Sequence, residues 1–166
     1  MVVGSYLSDQ ELREFIATLP TRRLAASAII RDESGRVLTV EPNYKSEWTL
    51  PGGTVEAGED PRSACFREVI EEVGLHLPEG RMLLIMHGLN MGMWGDSVAF
   101  LYDGGQIPSD TQITVQEEEL LSYRWVAPQD LETVLSAGMS QRIRDALEAL
   151  EQGTVVEHVV DGGKRS

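Results

Sequence analysis

One stretch, residues 60 to 74 (DPRSACFREVIEEVG), restricts the choice of fold more than any other part of the chain. Asp60 suits a helix N-cap, Pro61 the first helical position, and Gly74 the left-handed position that ends a helix. Between them Phe66, Val69, Ile70 and Val73 recur at i, i+3, i+4 and i+7, which predicts a core-facing stripe. At about 100° per residue, Glu68, Glu71 and Glu72 then project from the other side as one exposed patch on a rigid backbone. Like charges three and four positions apart each cost roughly 0.2–0.5 kcal/mol. No lysine stands among them, so the cost points to a missing positive partner.

The remaining segments predict a sheet around this helix. SDQELREFIATL (8–19) has a Ser cap and helical spacing in Leu12, Phe15, Ile16 and Leu19 before Pro20. RLAASAIIRD and GRVLTVEP read as two strands joined by the turn DESG, and WTLPGG (48–53) as a short third. MLLIMHGLNM, DSVAFLYDGG and LSYRWVA are further strands. PQDLETVLSA and SQRIRDALEALEQ read as helices, TVVEHVV as a last short strand, and residues 161–166 as a frayed tail. With no linker or repeat, residues 1–166 read as one domain whose strands and helices interleave around one core, an α/β (α+β) arrangement.

Charge and cysteine content narrow the function. A net charge of −13 argues against binding nucleic acid through its backbone phosphates, which needs clustered Lys and Arg. A small anionic substrate is compatible with that charge if metal ions bridge the two. Cys65 is the one cysteine, so no intramolecular disulfide can form, which fits a reducing compartment. No apolar run approaches about 18 residues, so no membrane span is expected. A cytoplasmic protein with no membrane partner is the expectation.

The helix is preceded by LPGG and then TVEAGED, a glycine-rich loop leading to another carboxylate, Glu59. Hard divalent cations take oxygen ligands from carboxylates, carbonyls, water and substrate phosphates. Gly53, five residues, Glu59, seven residues, Arg67-Glu68-Val69, one residue, Glu71-Glu72, one residue, Gly74-Leu75: this spacing resembles the Nudix box at every fixed position. The likeness extends more loosely over residues 22 to 135, through Trp48, Trp125 and Val126.

That resemblance implies an α/β/α sandwich with a mixed β-sheet. It also implies hydrolysis of a phosphoanhydride bond in a nucleoside diphosphate linked to another moiety, with Mg²⁺ or Mn²⁺ as cofactor. By the same resemblance Glu68, Glu71, Glu72 and the Gly52 carbonyl would be metal ligands. Glu68 would ligate metal or take the proton of the attacking water, and Arg67 would orient it. Glu59 would pair with Arg67 or close the loop, a structural task like those of Gly53 and Gly74. A further ligand or base would come from QEEEL, with Glu119 preferred over Glu118 and Glu117.

Lys45, Arg23 and Trp94 are candidates for substrate contact, and Arg22, Met91 and Met93 are weaker ones. His76, His87, His158 and Cys65 carry no pattern of catalytic duty. The markers of ADP-ribose, NADH, dinucleoside polyphosphate and coenzyme A hydrolases are missing, which leaves a nucleoside triphosphate or a nucleotide sugar as substrate. The alternative within the family is a non-catalytic sensor of nucleotide derivatives, which an intact box disfavours. A homodimer through the N-terminal helix or SQRIRDALEALEQ is compatible with the sequence.

Overall fold

The computed structural model describes residues 6–163. Its elements in order are α1 (Asp9–Thr18), β1 (Arg23–Arg31), β2 (Val37–Pro42), β3 (Gly52–Thr54) and α2 (Pro61–Val73). They are followed by β4 (Met82–Leu89), β5 (Ser97–Gln106), β6 (Leu120–Val126), α3 (Ala137–Gln152) and β7 (Val156–Asp161). The strands form one mixed sheet in the order β6-β2-β1-β5-β4-β7, with β3 attached to β1. β1 runs parallel to β5 and β4 parallel to β7, while the other pairings are antiparallel.

Side chains alternate between the two faces of a strand, and here both faces are covered. Ala26, Ala28 and Ile30 of β1 join Leu38 and Val40 of β2 against Cys65, Phe66, Val69 and Val73 of α2. Ile29 and Val37 point the other way, into a cluster with Leu83, Leu84, Leu101, Leu131, Ile143 and Ala146 beneath α3. The sheet therefore separates two half-cores, where the sequence suggested one. This is the expected α/β/α layering.

Local chemistry explains the element ends. In the β1–β2 turn, buried Asp32 accepts the Ser34 and Arg36 N–H groups at 2.9 and 2.8 Å, and Gly35 takes φ 77°. Asp60 Oδ1 accepts the Arg62 and Ser63 N–H groups, and Gly74 ends α2 at φ 69° with its N–H on the Ile70 carbonyl. Ser8 and Glu11 close a capping box on α1, yet α1 buries no residue, so Leu12, Phe15 and Ile16 stay exposed.

Several boundaries differ from expectation. WTLPGG supplies only the start of β3, with Thr49 making a lone bridge to Val40. PQDLETVLSA contracts to a 3-10 turn over Pro128–Thr133, and α3 begins earlier than Ser140, capped by Ser136. The tail is ordered through Gly163, whose N–H donates to Asp161 Oδ1 at 3.0 Å. Residues 164–166 lie outside the described residues. Among the described residues no helix is long and apolar enough to cross a membrane.

Candidate active site

β1 carries both halves of the site. β3 pairs with it through Ala26↔Gly53 and Ser27↔Gly52, and α2 packs across its other side chains. The α2 face is not the one its apolar spacing suggests. Ile70 is 40% exposed, whereas Glu72 is buried at 6%. The expected exposed patch of three glutamates is therefore graded: Glu71 exposed, Glu68 half-buried, Glu72 inside.

A backbone donor makes that burial tolerable. The Gly52 N–H donates to Glu72 Oε2 at 2.8 Å. Burial still dominates and pushes the Glu72 carboxyl up to about 7; Glu68 and Glu119 add to the rise, while the Gly52 N–H and Lys45 oppose it. An alanine at position 52 would put its Cβ 2.3 Å from the Ala26 carbonyl oxygen, so only glycine permits this approach of β3 to β1. At position 53 a Cβ would fall 2.5 Å from the Glu68 carboxyl carbon: that carboxylate lies over bare backbone.

Arg67 is a positive partner for two of the three glutamates, Glu68 and Glu71. Its Nε and Nη2 donate to the two oxygens of Glu59 at 2.9 and 3.0 Å, and Nη1 donates to Glu68 Oε1 at 3.0 Å and Glu71 Oε2 at 2.9 Å. Such a fork is stronger and more directional than a lysine contact. Glu59 is held well below the usual carboxylate range, mainly by Arg67. Glu68 is raised, first by burial and further by Glu71 and Glu119, despite the arginine.

Across the opening stand Tyr44, Gln116 and Glu119. The Glu119 carbonyl accepts the Asn43 N–H at 2.8 Å, which ties two loops together. The resulting pocket of about 450 Å³ is lined by Glu56, Glu68, Glu71, Glu72 and Glu119, with Arg67 the sole cationic lining residue. Glu117 and Glu118 do not line it. The Tyr44 phenol is pushed up by local desolvation, then by Glu72, Glu119 and Glu68.

An excess of hard oxygen donors suits divalent cations. Among the described residues no three such groups converge closely enough to hold an ion unaided. That matches the way Mg²⁺ is held, by one or two carboxylates with water and substrate phosphates completing its shell.

A second cavity of about 260 Å³ adjoins the first, sharing Tyr44, Gly52, Gly53 and Thr54. Lys45 lines it, as do Met86, Met139 and Arg142, which the sequence did not single out. Arg142 resembles any charged position on an amphipathic helix, and only the docking of α3 reveals its place. Arg23 and Trp94, expected at the substrate, line neither cavity. The Arg23 guanidinium donates to the Trp94 carbonyl, and the Trp94 side chain is 71% exposed beside the β4–β5 connection. Arg22 faces Asp96 at 3.6 Å. His87 and His158 pair with Glu157 and Asp145, away from the acidic pocket. Cys65 is buried and its thiol is pushed up to about 12, chiefly by desolvation, so it is inert.

Comparison with known proteins bears on this geometry. The family model described as NUDIX domain matches residues 21–150. An RNA pyrophosphohydrolase of Dinoroseobacter shibae is 39% identical over 133 residues, covering 68% of this chain and 81% of the relative. The Xenopus laevis protein named nucleoside diphosphate-linked moiety X motif 6 is 31% identical over 109 residues, 64% of this chain. The match spans only 50% of that relative's length. A MutT protein from Methanosarcina mazei superposes with a TM-score of 0.64 at 25% identity, covering 82% of this chain and 98% of its own. The chain belongs to the Nudix family and is a hydrolase of the Nudix type.

Proposed function

We propose that the chain hydrolyses a phosphoanhydride bond in a nucleoside diphosphate linked to another moiety, using Mg²⁺ or Mn²⁺. The observation that carries this reading is the pairing of a five-carboxylate pocket with a carboxylate-free cavity beside it. Glu72, Glu71, Glu68, Glu119 and the Gly52 carbonyl would hold the cations. Bound there, they would neutralise the phosphate oxygens and acidify a water.

Glu68 Oε2 is the proton acceptor of choice. Arg67 holds only Oε1, and a carboxyl raised by burial and like charges is a better base near neutrality. Water oxygen bonds to one phosphorus as its proton passes to Glu68. The bridging P–O bond breaks, and the bridging oxygen leaves on the other phosphate. Lys45 lines the adjoining cavity next to Tyr44, which both cavities share, and supplies a cation to the part of the substrate held there.

The test is a panel containing nucleoside triphosphates, nucleotide sugars and a 5′-triphosphorylated oligonucleotide, assayed for released phosphate or monophosphate with each metal. Turnover dependent on added cation is expected. A panel left untouched by the folded protein would overturn the reading. Arg67→Lys is expected to lower kcat about 10- to 100-fold, because one ammonium cannot hold Glu59, Glu68 and Glu71 together. Steady-state kinetics check this, and an unchanged kcat would remove Arg67 from its orienting role.

A further inference from the structure

Seen from its charges, the second cavity is unusual. The chain has 27 Asp and Glu against 14 Lys and Arg, yet among the described residues the cavity is lined by Lys45 and Arg142 and by no carboxylate. Its neighbour, across four shared residues, has the opposite balance.

Arg142 stands out further. Arg31, Arg36, Arg67 and Arg144 each lie within 3.0 Å of a carboxylate. Half-buried Arg142 has no hydrogen bond or ion pair among the described residues, and burial alone drives its guanidinium downward from its usual range. A partly desolvated, unpaired guanidinium costs folding free energy, and no hydrogen bond or ion pair from the described residues offsets that cost. The compensating group must come from outside. Around it the wall is apolar, with Leu84, Met86 and Met139 lining the same space. Such a wall suits the body of a ligand more than free ions in water.

On this basis we infer that a part of the substrate outside its diphosphate, the linked moiety or the nucleoside, carries its own anionic group, a phosphate or carboxylate seated between Arg142 and Lys45. The inference rests on the proposed hydrolysis, because it places the diphosphate in the acidic pocket and the far end of the same substrate in this cavity. Guanidinium pairs with either anion through two parallel N–H donors, so the geometry selects for an anion that presents two acceptor oxygens rather than for one compound. A substrate that ends in a neutral group would leave Arg142 desolvated and unpaired.

Two matched pairs separate the sources of that anion. UDP-glucuronate differs from UDP-glucose by a carboxylate, and guanosine 5′-triphosphate 3′-phosphate differs from GTP by a phosphate. Wild type is expected to favour the anionic member of one pair by about tenfold or more in kcat/KM. Arg142→Met is expected to remove that preference through KM and to melt no lower than wild type, since no internal pair is lost. Arg142→Lys should restore part of the preference.

Equal kcat/KM within both pairs for wild type would overturn the inference, as would Arg142→Met weakening both members alike. Calorimetric binding of the four compounds to wild type and Arg142→Met gives a readout without turnover. If none is hydrolysed, the proposed reaction fails, and the inference then stands or falls on whether binding shows the same Arg142-dependent preference.

Discussion

Glu72→Gln is expected to lower kcat by about 10³ and, in metal-free protein, to raise stability at pH 8. The activity loss follows from removing the most buried carboxylate of the acidic pocket while keeping its shape. An amide oxygen can still accept the Gly52 N–H. The stability gain follows from the raised carboxyl. In the folded protein Glu72 titrates near 7, against an ordinary value of 4.5.

Between those two values the folded state binds more protons than the unfolded state. The stability linked to this carboxyl is complete below about pH 4.5 and is lost as pH rises through 7. The loss amounts to about 3 kcal/mol. Wild type without metal should therefore melt lower at pH 8 than at pH 5, and Glu72→Gln should lack that part of the slope. Added Mg²⁺ or Mn²⁺ should raise the wild-type melting temperature at pH 8 and the variant's much less. Identical melting slopes for the two proteins, measured by calorimetry, would show that Glu72 is not the strained group.

Gly52→Ala should be strongly damaging, costing about 3–5 kcal/mol or preventing folding. Its Cβ would meet the Ala26 carbonyl oxygen at 2.3 Å, Ser27 Cα at 2.5 Å and Ser27 Oγ at 2.6 Å, on a backbone held at φ 146°. Two of these three atoms belong to the backbone of β1, so little can move aside. Gly53→Ala is the informative neighbour. The three atoms nearest its Cβ all belong to the Glu68 carboxyl group, which can swing away. It should keep most of its stability and lose activity. Denaturant unfolding and kinetics on the pair separate the outcomes; a Gly52→Ala protein as stable as wild type would refute the close approach of β3 to β1.

The ends of α2 were legible because Asp60, Pro61 and Gly74 act on their own immediate backbone. The face of α2 was not. Apolar spacing nominated Ile70 for the core, but a half-core beneath a sheet accepts only the stripe that meets it, and Cys65, Val69 and Glu72 occupy that stripe. Burial of a glutamate is paid for by a donor on Gly52, twenty positions away in sequence, which no local pattern reveals. The carboxylates themselves were readable as a set because their spacing is fixed by the resemblance. Arg142 was invisible because its meaning depends on where α3 lies across β4 and β5. For Trp94 the converse holds: an aromatic beside two methionines suggests a pocket, and its residue sits on an exposed turn that lines neither cavity.

Because β3 and α2 are both anchored to β1, the spacing between Gly52 and Glu72 is referenced to a single strand. Drift of the outer strands, or a lengthened surface connection, would leave that spacing untouched. The Glu119 loop is fastened instead to Asn43, beside Tyr44 and Lys45, so these groups travel together. The site thus has two supports, β1 beneath Gly52 and Glu72 and the linked Asn43 and Glu119 loops beside Tyr44 and Lys45, and changes in the second need not disturb the first.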